Sequence, residues 1–304
     1  MIRTLLKKWD EFWFGSVPLL NLAVFRIVFG ATLLVMYWSR QADVNLFYTE
    51  QGILPKSLSY KVLLDGFRPP FQMAFWPDAW VPGLHALLVL CLLFLTLGFF
   101  SRFFGVIAVY LHLAFLFRNY GVIYGVDQIA SFFLLYLALA KSDARLSIRA
   151  WWREKKKRPP LVGDSVTSTF YRLSQIQLCL IYVYSGMEKL KGLSWWDGTA
   201  VWSVLANSQM VIADFTWLRH MPLLIVLISF STILFEIYFP VLVWVPSTRK
   251  YFLLAGFCFH LGIGTIMALS SFAIAMLSPY ALFLEEESLQ VLLDRIRLKL
   301  RRST

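Results

Sequence analysis

The sequence has little charge for its length. Only 15% of its 304 residues are charged and 59% are hydrophobic, whereas soluble domains carry about 25% charged and 45–50% apolar residues. The mean hydropathy is +0.64. This balance excludes an ordinary soluble domain. It indicates an all-α integral membrane protein, because helices that satisfy their own backbone hydrogen bonds are the natural units of such a chain.

Cysteine and metal-binding patterns are also scarce. The three cysteines, Cys91, Cys179 and Cys258, stand alone in apolar runs and are interpreted as small core residues. No HxxxH, HExxH or CxxC spacing occurs, so no bound metal is expected. A nucleophile-elbow serine and a phosphate-binding loop are absent too. No cleavable signal is predicted, because residues 1–16 are charged and aromatic and the first apolar run has full spanning length.

What the sequence does have is a series of apolar runs of spanning length. They predict about eight transmembrane helices, at 17–38, 81–100, 103–117, 122–140, 170–190, 222–245, 251–269 and 271–284. The last is short and contains Pro279, so it either crosses the membrane or re-enters it. Residues 1–16 predict an interfacial amphipathic helix, 17–284 the membrane domain, and 285–304 a basic amphipathic tail. The segments 40–80, with one short helix near 56–64, and 191–221 are the two larger loops.

Positive charge predicts the orientation. The net charge is +11, and 19 of the 29 Lys and Arg residues lie in segments that eight spans would place on one side. By the positive-inside rule that side is cytoplasmic, so both termini are expected there and both larger loops outside the cell membrane. The basic loop 141–169 and the tail are interpreted as topology signals that also contact anionic lipid, in preference to a nucleic-acid surface.

Ionisable residues within the predicted spans need a partner or a function, because each costs about 2.5–3.5 kcal/mol at the bilayer centre. Five such residues are Arg26, Asp127, Lys189, Glu236 and His260. Their depths predict a central pair, Arg26 with Glu236, which is either a structural ion pair or functional. They also predict a cluster in the outer half of the membrane, comprising Arg118, Asn119, Asp127, Lys189 and His260. His260 is either a packing residue or part of a site.

Lys189 is the strongest single candidate for chemistry. Tyr182, Ser185 and Lys189 share one face of a helix, and Gly186 permits close contact beside them. An apolar wall around the amine would disfavour its charged form, which is how a lysine becomes a base near neutral pH. Glu188 points about 100° away and need not neutralise the amine. The alternative is a lysine that snorkels to the membrane surface from the end of its span.

Several short motifs follow one another along residues 17–284: Phe47-Tyr48, Gly52-Ile53-Leu54-Pro55, Gly98-Phe99-Phe100-Ser101-Arg102, Arg118-Asn119, Gly125-Val126-Asp127, Gly186-Met187-Glu188-Lys189-Leu190, Trp196-Asp197-Gly198, Glu236 with Phe239-Pro240, and His260. Taken in this order, they resemble the horizontally transferred transmembrane (HTTM) family, whose eukaryotic member is the vitamin K-dependent gamma-glutamyl carboxylase.

The resemblance implies a membrane enzyme in which Lys189 deprotonates a reduced quinone, similar to vitamin K hydroquinone, with O2 and CO2 as co-reactants. Asp127 and His260 are then further catalytic candidates. The residues implied in binding are Arg118, Asn119, Tyr182, Ser185, Trp196 and Asp197. The carboxylase has a histidine near the position of Asp127, and pairing of Asp127 with Lys189 or Arg118 would argue against a lysine base. The acceptor would be an exported peptide or a small molecule.

Two other functions stay open. This chain is expected to lack the large lumenal region of the animal carboxylase and is closer in size to stand-alone bacterial members. Some of these resemble the sporulation-delaying-protein B type, which helps to mature a secreted peptide toxin. Under that reading the chain is a non-enzymatic maturation factor, and its intramembrane charges form an ion-pair network. A transporter is the third reading, although no inverted repeat is visible.

Overall fold

The computed structural model describes residues 2–64 and 76–303, and these are helical, with no strand among them. In chain order the α-helices are α1 (Ile2–Phe14), α2 (Leu19–Arg40), α3 (Val44–Tyr48), α4 (Lys56–Leu64), α5 (Val81–Leu97), α6 (Ser101–Arg118), α7 (Gly125–Leu139), α8 (Ile148–Lys155), α9 (Ser165–Leu190), α10 (Leu193–Trp196), α11 (Ala200–Leu205), α12 (Pro222–Leu242), α13 (Pro246–Ile266), α14 (Ser270–Leu277) and α15 (Glu286–Ser303). The all-α prediction is confirmed.

A helix stands at each of the eight predicted spans. Within the described ranges, four stretches are long and apolar enough to cross a membrane: Leu19–Arg40, Asp78–Leu97, Ser101–Arg118 and Pro222–Leu242. The apolar helices Gly125–Leu139 and Ser270–Phe283 are shorter. The remaining two, α9 and α13, have 26 and 21 residues but are more polar. A membrane protein is therefore supported, with four spans identified by length and composition.

The chain forms two compact units, Met1–Leu173 with Leu284–Thr304, and Ser174–Phe283. In the first unit, α2, α5, α6 and α7 pack through apolar faces around Phe25, Phe29 and Phe133. The rings of Phe25 and Phe133 meet edge to face with their centroids 5.3 Å apart, a favourable aromatic geometry. The tail joins the same unit, because the Asn21 amide donates to the carbonyl of Leu284 at 2.7 Å.

The predicted loops contain additional helices. Segment 141–169 holds α8, whose N-cap Ser147 accepts a hydrogen bond from the amide of Ala150 at 2.8 Å. Asp164 accepts from the amide of Thr167 at 2.8 Å, so α9 begins at Ser165, five residues before the predicted start. Segment 191–221 holds α10 and α11. Helix α4 lies where the sequence predicts a short helix within the larger loop 40–80, and residues 65–75 of that loop lie outside the described part.

The second unit is built from the later part of α9 with α11, α12, α13 and α14. Pro240 lies inside α12, where it removes the amide that would donate to the carbonyl of Glu236. The interruption predicted near Pro279 is present, because α14 ends at Leu277 and a 3-10 helix runs over Ser278–Phe283. Rings of Tyr182, Phe235 and Phe239 pack together, with centroids of Tyr182 and Phe239 4.3 Å apart.

Candidate functional site

A cavity of about 500 Å³ lies within the second unit. Its polar lining comes mainly from α9, α12 and α13: Tyr182, Ser185, Lys189, Thr232, Glu236 and His260. Its walls are otherwise largely apolar and include Ile181, Val201, Val204, Leu205, Ile228, Phe259, Ile263, Ile266, Met267, Phe272 and Met276. A concave apolar chamber with a few converging polar groups is the usual form of a small-molecule site.

The polar face of α9 is the one that the sequence predicted. Tyr182, Ser185 and Lys189 are spaced by three and four residues, which places them on one side of the helix, and all three line the cavity. Glu188 faces elsewhere and pairs with Lys191 at 2.6 Å. The amine of Lys189 therefore does not have Glu188 as its counterion.

The counterion of Lys189 is Glu236 of α12. The Nζ atom of Lys189 lies 2.8 Å from Oε2 of Glu236, and it donates hydrogen bonds to Oε1 at 3.0 Å and to Oγ of Ser185 at 2.7 Å. The Ser185 hydroxyl in turn donates to Oε1 at 3.2 Å. Although Oε2 is close to the amine, it accepts no hydrogen bond from any described residue. Both carboxylate oxygens therefore lie within about 3.0 Å of the amine, in a close ion pair.

Gly186 lets α9 and α12 approach closely enough for this pair to form. A Cβ atom built at Gly186 would lie 2.8 Å from Cδ1 of Ile237 and 3.3 Å from Cβ of Glu236. The first distance is shorter than real Cβ atoms show, so a larger residue would require the end of the Ile237 side chain to shift. Gly186 therefore permits the close approach of the two helices that carry Lys189 and Glu236.

A second polar group in the cavity centres on Tyr182. Its hydroxyl lies 2.7 Å from Nε2 of His260 and 2.6 Å from the hydroxyl of Tyr280. Close packing of Gly256 against the ring of Tyr280 makes room for this contact. The Nδ1 atom of His260 is buried and has no partner among the described residues. In either neutral tautomer of His260 this nitrogen keeps a donor or an acceptor that no described residue satisfies.

Trp195, rather than its predicted neighbours, lines the cavity. The amine of Lys189 lies 5.3 Å from the centre of the Trp195 ring, within cation–π range. Trp196 instead donates from its indole to the carbonyl of Leu190 at 2.7 Å. Asp197 accepts from the amide and hydroxyl of Thr199. Trp196 and Asp197, predicted to bind substrate, fix the conformation of their own loop and do not line this cavity.

The predicted ion pair between Arg26 and Glu236 is wrong. Glu236 is engaged by Lys189, and Arg26 donates from Nη2 to the carbonyl of Leu146 at 2.6 Å within the first unit. The guanidinium of Arg26 also packs against Gly98. Depth along a span predicts which charges lie at similar levels, but several helices offer partners at each level. The choice among them depends on packing that sequence spacing does not contain.

The other predicted site residues are held by partners in the first unit. Asp127 forms a two-pronged ion pair with Arg40, at 2.9 and 3.1 Å, rather than pairing with Arg118 or Lys189. It also accepts from the amide of Tyr124, the residue that precedes α7, because it stands in the first turn of that helix. The predicted span beginning at residue 122 placed Asp127 too deep in its helix.

Arg118 and Asn119 hold the segment after α2 in place. Arg118 donates to the carbonyls of Thr49 and Leu54 at 2.8 and 3.0 Å, and Asn119 donates to the carbonyl of Phe47 at 2.6 Å. Neither residue lines the cavity of the second unit. These hydrogen bonds to backbone carbonyls anchor the segment, and none of them indicates the predicted role in substrate binding.

The side chains that line the cavity offer acid–base chemistry and hydrogen bonding. A paired amine and carboxylate can move a proton to or from a bound hydroxyl, and His260 can hydrogen-bond a second polar group of the same ligand. Within residues 2–64 and 76–303, no group of three or more His, Cys, Asp or Glu side chains is arranged to hold a metal ion.

Comparison with known proteins places this site in a family. No solved structure matches the chain. Sporulation-delaying protein SdpB of Bacillus subtilis (strain 168) is 22% identical over 268 residues, which are 86% of this chain and 80% of SdpB. The model of the HTTM domain matches residues 14–287, a range that contains every residue of the cavity. The match extends over most of the sequence, so the chain belongs to the HTTM family.

Proposed function

We propose that this HTTM protein is a multi-pass membrane enzyme whose cavity binds the ring of a hydrophobic quinol-type cosubstrate. One observation carries the proposal. A paired amine and carboxylate, Lys189 and Glu236, line an otherwise largely apolar cavity of about 500 Å³. Charged side chains are costly in such surroundings unless they have a function or compensate one another fully.

The residues of the cavity fit a substituted aromatic ring with two polar positions. Ile181, Val204, Ile263 and Phe272 offer apolar contact to the ring and to an isoprenoid-like tail. Glu236 and Lys189 would hold one hydroxyl. His260 lines the cavity, and its Nδ1 atom, which has no described partner, would hold the other. A buried unpaired donor or acceptor costs about 1–3 kcal/mol, which a hydrogen bond from the ligand would offset.

The ion pair changes which residue accepts the proton. In this proposal the resting pair consists of an ammonium on Lys189 and a carboxylate on Glu236, in place of the free lysine amine that the family resemblance implies. The carboxylate of Glu236 accepts the proton from a bound hydroxyl, and the ammonium of Lys189 compensates the charge that develops on the oxygen. The Ser185 hydroxyl, bonded to both groups, keeps them aligned during the transfer.

A bound quinol would supply reducing equivalents and, with O2, a base strong enough to activate a carbon acid. The acceptor would then be an exported peptide or a small molecule, with CO2 as co-reactant if the chemistry is that of the carboxylase. The protein side chains contribute binding, orientation and proton transfer.

The proposed setting is the cell membrane, crossed by about eight helices, with both termini cytoplasmic. The asymmetric distribution of Lys and Arg supports this orientation. Lys189 stands at the end of α9 opposite the basic segment 141–158. In this orientation the cavity would open toward the extracytoplasmic half of the bilayer, where an exported acceptor could reach it.

A second candidate function is a non-enzymatic maturation factor for a secreted peptide. The similarity to Sporulation-delaying protein SdpB over 86% of the chain favours it. Under this proposal the Lys189–Glu236 pair would stabilise the second unit, and the apolar cavity would receive a hydrophobic segment of the peptide. The two candidates differ in whether the protein turns over a quinol.

The test is turnover of a reduced short-chain naphthoquinone by the purified full-length protein in lipid nanodiscs, followed by absorbance in the presence of O2. We expect oxidation above the uncatalysed rate, and loss of that rate by at least about 100-fold in Lys189→Ala and Glu236→Gln. Lys191→Ala is the matched control, since Lys191 lies two residues away and pairs with exposed Glu188.

Absence of both binding and oxidation in the wild-type protein would reject the enzyme and leave the maturation factor. Full turnover by Lys189→Ala would reject the assigned role of the pair even if the quinol binds. Lys191→Ala must retain turnover for a loss in Lys189→Ala or Glu236→Gln to be attributed to the cavity.

A further inference from the structure

A second concave site lies in the first unit and shares no residue with the cavity of the second unit. It is a groove of about 940 Å³ formed by α8, the segment after it, the start of α2 and the tail helix α15. The side chains that matter are of two kinds. Its cationic residues are Arg145, Arg153, Lys157 and Arg158, and its apolar residues include Leu20, Leu146, Trp151, Leu161 and Leu293.

The groove is strongly cationic. Four Lys and Arg residues line it against one acidic residue, Glu154. Arg153 donates from Nε and Nη2 to the carbonyl of Pro159 at 3.1 and 2.9 Å, which turns the chain back on itself after α8. Lys157 adopts a left-handed conformation at this turn, with φ of 50°. The fold thus gathers successive charges of one sign, which repel one another unless an anion compensates them.

The position of the groove relates it to the membrane surface. Leu20 is the second residue of α2, one of the four helices long and apolar enough to cross a bilayer in the described chain. Helix α8 is held against the turn between α5 and α6, because the amide of Arg149 donates to the carbonyl of Gly98 at 3.3 Å. The groove therefore lies beside the ends of several apolar helices.

Helix α8 has the composition of an interfacial helix. Trp151 and Trp152 are exposed, and the amines of Lys155 and Lys156 lie 5.3 and 4.2 Å from the centres of their rings. Tryptophan flanked by Lys and Arg favours the level of the lipid headgroups. Leucines beside the cations would contact the first methylene groups of an acyl chain, whereas a water-soluble anion has no apolar part to pack against these leucines.

From this charge and placement we infer that the groove binds the headgroup of an anionic phospholipid. Lys157 and Arg158 contact its phosphate, and Leu161 and Leu293 contact the start of an acyl chain. This site is independent of the proposed quinol chemistry, since none of its residues lines the cavity of the second unit. It is also more specific than a general attraction of basic loops to acidic membranes.

The chain offers a matched pair of variants. K157Q/R158Q removes two charges that line the groove, and K155Q/K156Q removes two charges from the same run that do not line it. Both have the same net charge, and all four residues lie at the end of α8 or just beyond it. The full-length protein is purified in a neutral detergent, where no bilayer surface attracts cations generally, and titrated with phosphatidylglycerol or phosphatidylcholine while bound lipid is counted by native mass spectrometry.

We expect one phosphatidylglycerol to bind more tightly than phosphatidylcholine. We expect K157Q/R158Q to weaken it by about fivefold per charge removed and K155Q/K156Q to leave it within about twofold of the wild type. Equal weakening by both variants, or equal affinity for the two lipids, would overturn the inference. A parallel titration with glycerol phosphate tests for a soluble ligand. If glycerol phosphate displaces the lipid when both are at the same concentration, the groove binds a free phosphate compound, and the inference of a lipid site is wrong.

Discussion

The amine of Lys189 and the carboxylate of Glu236 are 2.8 Å apart, although 47 residues separate them in sequence. Glu236 is nearly inaccessible, with 4% of its side chain exposed, and Lys189 is 20% exposed. A charge as buried as that of Glu236 requires the lysine for stability whether or not the pair takes part in chemistry. Stability and activity therefore have to be separated experimentally.

A double-mutant cycle separates them. We expect Lys189→Gln to lower the free energy of unfolding by about 1–3 kcal/mol, because it leaves a buried carboxylate without a cation. Adding Glu236→Gln should restore most of that loss, since neither charge then remains. Quinol turnover, by contrast, should stay absent in the double variant. Thermal stability and turnover measured on all four proteins decide the matter, and recovered turnover in the double variant would contradict a role in proton transfer.

Gly186→Ala should damage the site more than the same change at Gly262. The new methyl group would meet Cδ1 of Ile237 at 2.8 Å, and such overpacking costs about 1–3 kcal/mol. Gly262→Ala is the control: Gly262 lines the cavity, and a Cβ there meets nothing within 4 Å. We expect lower thermal stability and turnover in Gly186→Ala and no loss in Gly262→Ala. Similar behaviour of the two variants would show that glycine content, rather than close packing at Gly186, matters.

Asp127→Asn should act on stability rather than on turnover. The substitution keeps an acceptor for the amide of Tyr124 but removes the negative charge that Arg40 needs in its buried pair. We expect a loss of about 2–4 kcal/mol in the free energy of unfolding. The remaining folded protein should turn over quinol at the wild-type rate. Loss of turnover with unchanged stability would instead show that Asp127 has a catalytic role.

The acid limb of the stability curve should depend on Asp164. Burial raises the pKa of its carboxyl, but hydrogen bonds from the hydroxyl and amide of Thr167 and the nearby ammonium of Lys141 outweigh that effect and hold the pKa well below the ordinary value of 3.8. The carboxylate therefore stabilises the fold above pH of about 3.8, and this contribution disappears as the pH falls toward the lower pKa of the folded state.

Asp164→Asn keeps the cap of α9 and removes the titration. We expect its thermal stability to fall less steeply with acid below pH of about 4 than that of the wild type. Because the side chain is 35% exposed, its ion pairs are screened and the difference should shrink at high salt. Parallel melting curves of the two proteins down to pH 2, at low and high salt, provide the measurement, and identical acid limbs would exclude the assignment.

Periodicity was sufficient to predict the helices and one face of the site. Tyr182, Ser185 and Lys189 follow from the geometry of a single helix, which is a local property. The partner of Lys189 is not local. Glu236 was assigned to Arg26 on depth alone, and the selection of Lys189 depends on the close approach at Gly186, visible only when two helices are packed.

Residues from short or irregular segments were the hardest to predict. Tyr280 lies in a 3-10 helix after α14 and reaches Tyr182 because Gly256 leaves space for its ring. Trp195 and Trp196 are adjacent in sequence, and the turn of α10 decides that the first lines the cavity. Asp127 was placed too deep because Asn119 and Tyr120–Val122 form a turn that delays the start of α7.

The polarity of α9 has a consequence for biosynthesis. At 26 residues it is longer than each of the four stretches identified as spans in the described chain, yet it is too polar to be counted with them. The transfer of such a polar helix from the insertion machinery into lipid is unfavourable when the helix is alone. Helix α12 emerges later, is apolar enough to insert, and carries the carboxylate that neutralises Lys189. In the proposed eight-span arrangement, insertion of α9 would therefore depend on α12, and truncation of the chain before α12 would leave α9 outside the bilayer.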